Sequence, residues 1–217
     1  MSTKKKILLL TILVFPGLFY FFLELSNANF KKMAYYGPKY FDASKNDTVY
    51  YKLNIENVFE NSESTKLKLD TNELPVFLIG FLDRKMKNEG YKLNGLLEYT
   101  QYQPEKLNYI DILLVSDFDS LKPKLEIKKD LKIRNNEIKE VFLNTSEFNA
   151  VRDQFFKGKP IHVFKYFFAL VDKNRNIRGY YDPTFVSEVK RMILEFEHLK
   201  LRDEKAKLIK KNKIEKK

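Results

Sequence analysis

The chain of 217 residues contains no cysteine and no tryptophan, and it has only two histidines. The absence of cysteine excludes disulfide exchange, thiolate nucleophiles and any metal site that needs cysteine sulfur. Two histidines leave little for acid–base catalysis near neutral pH. No nucleotide-binding loop, zinc-protease motif or serine-hydrolase spacing is present, so catalytic residues are not expected and an enzyme is not predicted.

Glycine and proline are also scarce, at seven residues each, which predicts that most of the chain is regular secondary structure. Hydrophobic residues make up 44% of the chain, with 19 phenylalanines and 13 tyrosines. This apolar content is enough for a packed core and argues against disorder of the whole chain. The length allows one domain of about 150 residues with additional segments at its ends.

The formal net charge of +11 is concentrated at the two ends of the chain. Lys4, Lys5 and Lys6 form one cluster, and residues 200–217 carry nine lysines and arginines against three acidic residues. The rest of the chain is nearly neutral, so binding to nucleic acid is not expected. The basic tail allows three interpretations: a solvated helix end, contact with anionic lipid headgroups, or contact with an acidic surface of a partner.

An uncharged apolar run of 17 residues, 7–23, directly follows the first lysine cluster. Extended to Leu25, it predicts a single N-terminal transmembrane helix that is retained as a signal-anchor. A cleaved signal peptide and a soluble apolar helix are the alternatives. Because the lysine cluster is expected to stay in the cytoplasm, the chain after residue 25 is predicted to face the periplasm or an equivalent outer side.

The sequence divides into four predicted parts: a cytoplasmic basic end with the anchor (1–25), a polar tether (26–46), an α/β domain (47–200) and the basic tail (201–217). Within the domain, strand and helix patterns alternate, which indicates an α/β sandwich around a mixed sheet. Strands are predicted at 47–55, 74–82, 109–117, 138–146, 161–172 and 176–182. Thr145 and Ser146 are predicted to cap one helix, and Pro183 to begin the last one.

The stretch LVDKNRNIRGYYD, residues 170–182, resembles a motif near the C-terminal end of proteins of the Sco/SenC family. YYGPK (35–39), DTVYYKL (47–53) and VFLNTS (141–146) match further family segments in the same order. The family consists of thioredoxin-fold proteins that handle copper in cytochrome oxidase assembly. The resemblance therefore implies a thioredoxin-like mixed sheet flanked by helices. The motif residues are Asp172, Ile177, Arg178, Gly179, Tyr181 and Asp182.

The chain departs from the family at the metal site. The family has Cys-x-x-x-Cys-Pro at the start of the helix after its first core strand, and a histidine before a late strand. Ungapped placement puts Arg84 and Asn88 at the cysteine positions, and His162 lies about two residues upstream of the histidine position. A bound metal or other cofactor is therefore not predicted. The motif at 170–182 is interpreted as a folding signature, a hairpin that completes the sheet.

Other polar and sulfur-containing side chains have two interpretations each. Asp117 and Asp119 stand at the end of a predicted core strand, where α/β folds often place functional groups, but a polar strand-end loop is the simpler interpretation. Met86 and His162 are either packing residues or weak copper ligands. Arg84 and Lys85 would repel a cation from the loop they share with Met86.

The leading hypothesis is a membrane-anchored, non-catalytic Sco/thioredoxin-like protein of the inner, energy-conserving membrane. By the resemblance, its partner is a membrane-embedded respiratory complex of the cytochrome oxidase type or the assembly factors of that complex. Two alternatives remain open. One is a copper-handling oxidase assembly factor with methionine and histidine ligands, and the other is a thiol-independent periplasmic chaperone.

Overall fold

A computed structural model describes residues 4, 14–18, 33–54, 75–107, 109–118, 127–130 and 138–214. The chain forms two compact units, Met1–Met33 and Ala34–Lys217. In the first unit, residues 14–18 are helical, and the rest of the predicted anchor lies outside the described residues. No helix within the described part of the chain is both long and apolar enough to cross a membrane.

The second unit contains seven strands, five α-helices and one 3-10 segment among its described residues. The strands are β1 (Lys39–Asp42), β2 (Asp47–Tyr50), β3 (Phe77–Leu82), β4 (Ile112–Phe118), β5 (Ile138–Asn144), β6 (Phe168–Val171) and β7 (Ile177–Tyr181). The helices are α1 (Asn94–Tyr102), α2 (Pro104–Leu107), α3 (Ile127–Asp130), α4 (Thr145–Phe155) and α5 (Val186–Ile214), and the 3-10 segment is Arg84–Lys92.

The main sheet has five strands in the order β5-β4-β3-β6-β7. Strands β3, β4 and β5 are parallel, whereas β6 is antiparallel to β3 and β7 is antiparallel to β6. A parallel β-α-β unit that is extended by an antiparallel hairpin and closed by a final helix is the arrangement of the thioredoxin fold. The predicted thioredoxin-like mixed sheet is therefore confirmed. The strands β1 and β2 form a separate two-stranded antiparallel sheet.

Alternation along the strands gives the sheet two buried faces. On one face, Phe77, Ile79 and Phe81 of β3 join the core beneath α4, where Phe148 and Phe155 pack edge-on against Phe81. Because both faces are covered, the apolar runs of β3 and β4 are nearly continuous rather than alternating.

The other face of the sheet packs against α5. Tyr181 on β7 is fully buried, and its hydroxyl donates to Glu195 Oε2 at 2.6 Å. The Tyr181 phenol passes so close to Gly179 that a Cβ on that glycine would lie 2.2 Å from the tyrosine oxygen. The glycine of the motif is therefore required by the packing of the tyrosine two residues later.

Several local predictions were wrong in detail. The predicted strand 47–55 is confirmed only at β2, since residues 51–54 are not strand, and β1 lies within the predicted tether. The last helix begins at Val186, so Pro183 precedes it. The predicted strand 161–172 is confirmed only at β6, because residues 161–167 form turns in which the Val163 amide bonds the Pro160 carbonyl and the Phe167 amide bonds the Phe164 carbonyl. The helix α4 is capped by Asn144, whose side chain accepts from the Glu147 amide at 2.9 Å, and not by Thr145 or Ser146. Those two residues already lie in the first turn of the helix.

Candidate functional site

Three segments meet at one edge of the sheet because of the strand directions. The carboxyl ends of β3 and β7 lie at the same edge as the amino end of β6, since β6 runs antiparallel to both neighbours. The turn after β3, the residues before β6 and the junction between β7 and α5 are therefore neighbours in space. Parallel α/β sheets commonly bind ligands at this edge.

The turn after β3 is fixed by two carboxylates. Asp83 accepts from the Lys85 amide at 2.9 Å and caps the 3-10 segment, and Asp117 Oδ1 accepts from the Arg84 amide at 3.1 Å. Asp117 thus holds the start of this turn in place from the end of β4. This contact favours a structural role for Asp117, and Asp119 lies outside the described residues.

The end of the same turn has an unusual backbone. Gly90, Tyr91 and Lys92 have φ values of +60°, +55° and +56°, so three consecutive residues are left-handed and two of them carry a Cβ. Left-handed non-glycine residues are strained and need support from their surroundings. Here the Tyr91 ring is buried, and the Lys92 carbonyl accepts from Thr184 Oγ1 at 3.2 Å.

A cleft of about 450 Å³ lies between these segments. It is bounded by the left-handed turn, the start of α1, the residue two positions before β6, and the junction of β7 with α5. Its lining residues are Glu89, Lys92, Asn94, Tyr166, Asp182, Thr184 and Phe185.

The cleft contains charges of both signs. Lys92 Nζ lies 3.0 Å from Glu89 Oε2 and 5.0 Å from the centre of the Tyr166 ring. The hydrogen bond with Glu89 is the main reason that the pKa of Lys92 is raised, with smaller contributions from Tyr166 and Asp182. Burial, followed by the charge of Asp182, raises the pKa of Tyr166. Lys92 therefore stays charged and Tyr166 stays neutral in the physiological range.

The three positions that the resemblance aligns with the family's copper site lie on two separate segments of the chain. Arg84 begins the 3-10 segment, Asn88 is exposed within it, and His162 is exposed in the turn before β6. Phe164, two residues downstream of His162, has 54% of its surface exposed. Within the described residues, no group of three or more histidine, cysteine, aspartate or glutamate side chains could hold a metal ion.

The side chains present at this site do not fit copper. Cu(I) prefers thiolate and thioether ligands, and the sequence resemblance aligns the two thiolate positions with the guanidinium of Arg84 and the amide of Asn88. Met86, the thioether closest in sequence, is only half-buried and is flanked by Lys85 and Lys87.

The motif hairpin between β6 and β7 is organised around one buried carboxylate. Asp172 accepts hydrogen bonds from the amides of Asn174 and Asn176, from the Asn176 side chain, and from Arg178 Nη1 at 3.0 Å. The side chains of Asp172 and Arg178 are 4% and 1% exposed. A carboxylate so fully bonded ties the turn to the strand that follows it, at Ile177.

Arg178 also connects the hairpin to the segment before the domain. Its Nε donates to the Ala34 carbonyl at 3.0 Å, and its guanidinium lies 3.8 Å from the centre of the Tyr35 ring. Backbone bonds from Tyr36 to Ile177 and from Leu53 to the Arg175 carbonyl reinforce this contact. Asp172 and Arg178, which make the most hydrogen bonds in the motif, therefore stabilise the fold. Asp182 differs from them because it lines the cleft.

No protein-family model and no curated protein matches the chain. Among solved structures, it is similar to a SCO1/SenC family lipoprotein from Bacillus anthracis, with 11% identity, a TM-score of 0.47, and coverage of 78% of this chain and 98% of that one. It is also similar to copper-bound ScoI from Bradyrhizobium japonicum (11% identity, TM-score 0.38, 75% and 99% coverage). A third is the thioredoxin domain of a thiol-disulfide oxidoreductase from Bacteroides vulgatus (15% identity, TM-score 0.36, 75% and 98% coverage).

These structural neighbours include the Sco/SenC proteins that the sequence resembles, together with thioredoxin-like oxidoreductases, all at low sequence identity. The agreement concerns the fold, and activity does not follow from it.

Sequence reasoning missed the cleft. Lys92, Tyr166 and Asp182 are far apart in the chain, and only the antiparallel direction of β6 brings them together. Asp182 was visible as the last residue of the motif, whereas nothing in the sequence distinguishes Tyr166 from the other tyrosines.

Proposed function

We propose that the chain is a membrane-anchored, non-catalytic thioredoxin-like protein that acts as a binding or accessory subunit. In this proposal its partner is a respiratory complex of the cytochrome oxidase type, or the assembly machinery of such a complex. The domain would be anchored by residues 7–25 and would face the periplasm or an equivalent outer side. The Sco/SenC resemblance of the sequence supports this choice of partner.

One contrast supports the proposal most directly. By the sequence resemblance, Arg84 and Asn88 of the turn after β3 take the positions of the family's cysteines, whereas the Asp172–Arg178 pair of the hairpin is buried and fully hydrogen-bonded. A chain that has lost thiol chemistry but has kept the framework is expected to act through its surface. Exposed aromatic side chains beside the cleft, Phe164 and Phe185, are consistent with a docking role.

Affinity purification of the tagged full-length chain from gently solubilised native membranes tests this proposal, with mass spectrometry of the proteins that accompany it. Subunits of a respiratory complex in stoichiometric amounts are the expected result. Recovery of the chain without any companion protein would contradict it.

A copper titration of the purified chain separates this proposal from the metal-handling alternative. We expect no stoichiometric Cu(I) binding in competition with a chelator. Binding that disappears in Met86→Ala or His162→Ala would overturn the non-catalytic assignment in favour of copper handling.

A further inference from the structure

Asp182 brings an incompletely neutralised carboxylate to the cleft. Its Oδ1 accepts from the Thr184 amide at 3.0 Å, and the side chain is half-buried. It forms no salt bridge with any other residue in the described part of the chain. Lys92 is near enough to respond to its charge, but the ammonium of Lys92 is paired with Glu89.

Two aromatic rings line the cleft together with this carboxylate. Phe185 is 57% exposed just before α5, and Tyr166 also lines the cleft, with the Lys92 ammonium over its ring. The ring of Phe164 stacks on that of Tyr166, with centroids 5.7 Å apart and planes only 2° from parallel. The face of an aromatic ring attracts cations, most strongly where water is partly excluded.

Lys92 is the one cation among the residues that line the cleft. Its ammonium lies over the Tyr166 ring and against the Glu89 carboxylate. The lining contains two carboxylates, Glu89 and Asp182, and one cation. The lining therefore has one negative charge in excess, and an anionic ligand would have to displace Glu89 from Lys92 and approach Asp182 as well.

We propose that this cleft binds a basic side chain of a partner polypeptide, with the cation between the Asp182 carboxylate and the rings of Tyr166 and Phe185. This inference rests on the proposed function, because it names the chemistry by which the partner is recognised. Arginine fits better than lysine, since a planar guanidinium can stack on a ring and donate two parallel hydrogen bonds to a carboxylate.

A pair of small probes tests the charge preference on the full-length chain. Nα-acetyl-arginine methylamide carries the guanidinium, and Nα-acetyl-citrulline methylamide has nearly the same shape without the charge. We expect saturable NMR shifts of the Thr184 and Asn94 amides with the arginine probe only. Equal shifts with the two probes, or no shift with either, would overturn the proposal.

Two substitutions in the lining make opposite predictions. Asp182→Asn keeps an oxygen for the Thr184 amide but removes the charge, and it should weaken binding of the arginine probe about two- to fivefold. Lys92→Met vacates the internal cation position and leaves Glu89 unpaired, so it should tighten binding of the same probe. Weaker binding in Lys92→Met would show that the cleft selects anions, which contradicts the proposal.

Matched variants guard against loss of folding. Tyr166→Phe keeps the ring and should keep probe binding, whereas Tyr166→Leu should lose it. Phe185→Leu changes an exposed side chain and should reduce binding without lowering the thermal midpoint. Asp153→Asn, which removes an exposed carboxylate on α4, should leave probe binding unchanged.

Co-purification with these variants separates the two proposals. If the wild-type chain recovers a partner and Asp182→Asn and Phe185→Leu recover it equally, the cleft assignment is wrong and the proposed function stands. If the chain is recovered alone but still binds the arginine probe through Asp182, the proposed function is wrong and the cation preference of the cleft stands.

Discussion

The motif hairpin and the turn after β3 differ in how deeply their charged side chains are buried. The hairpin pair Asp172–Arg178 is almost fully buried, whereas the Lys92–Glu89 pair at the end of the turn has its side chains 36% and 61% exposed. Removal of one member of a buried, fully hydrogen-bonded ion pair strongly lowers the folding stability, because the other charge stays buried without its partner. Exposed ion pairs contribute little to stability. The comparison teaches that the fold constrains the charged pair of the hairpin far more than the charged pair at the end of the turn.

Removal of the buried guanidinium should have the largest effect. Arg178→Ala leaves Asp172 charged, buried and short of one partner, and it should lower the free energy of unfolding by about 3–5 kcal/mol. Urea denaturation followed by circular dichroism measures this change. Lys165→Ala is the control, because it breaks an equally direct ion pair with Asp153 whose side chains are 50% and 58% exposed.

The control should change the free energy of unfolding by less than about 1 kcal/mol. A loss in Arg178→Ala no larger than that in Lys165→Ala would refute the view that the hairpin is structurally constrained.

Substitution of a glycine by alanine should lower the stability by different amounts in the two regions, because the physical cause of the loss differs. Gly179→Ala places a methyl group against the Tyr181 phenol in a packed interior and should cost about 1–3 kcal/mol. Gly90→Ala meets only the Asn94 side chain at 3.3 Å and costs mainly the left-handed backbone, about 1 kcal/mol. Thermal and urea unfolding of both variants checks this order, and an equal or reversed order would contradict it.

Alkaline pH should destabilise the hairpin side of the domain. Burial raises the pKa of Tyr180 and of Tyr181 well above the usual tyrosine range, with the Glu195 hydrogen bond adding to the shift at Tyr181. In the folded state both phenols keep their protons after the unfolded chain has lost them. The stability present below about pH 10 is therefore lost as the pH rises further, by about 1.4 kcal/mol per pH unit for each group.

The slope of unfolding free energy between about pH 10 and pH 12 measures this linkage. Tyr180→Phe should reduce the slope by one group, even though loss of its hydrogen bond to the Phe155 carbonyl lowers stability at every pH. An unaltered slope in Tyr180→Phe would disprove the role of its buried phenol.

The smallest effect is expected in the turn itself. Asn88 is exposed, so Asn88→Ala should change the free energy of unfolding by no more than about 0.5 kcal/mol. Urea unfolding checks the value. A loss above about 1 kcal/mol would mean that the turn is as constrained as the hairpin, and the contrast between the two regions would fail.

The sequence allowed the central strands and the final hairpin to be predicted because their apolar runs and turn residues are local signals. The strand predicted at 161–172 failed over its first seven residues for a tertiary reason. Phe164, Tyr166 and Phe167 pack on one another around turns, so apolar content there does not mean extended backbone. The cap at Asn144 was missed because Asn144, Thr145 and Ser146 are all residue types that can cap a helix. The structure selects Asn144, because its backbone is still extended whereas the other two residues are already helical.

The cleft could not be predicted for a different reason. It depends on the left-handed turn at 90–92, and two of those three residues have side chains that ordinarily avoid that conformation. The supporting contacts come from Thr184 and from the buried ring of Tyr91. Such backbone is imposed by packing and is not encoded in local propensity.

The length of α5 allows distances to a bound partner to be measured along the helix axis. Its 29 residues correspond to a length of about 44 Å at 1.5 Å per residue, and the helix begins beside Phe185 at the cleft. Because the chain has no cysteine, one cysteine introduced near residue 214 is a unique attachment point for a fluorophore. Energy transfer from that fluorophore to an acceptor on a bound partner would then report the distance of the partner along the helix axis.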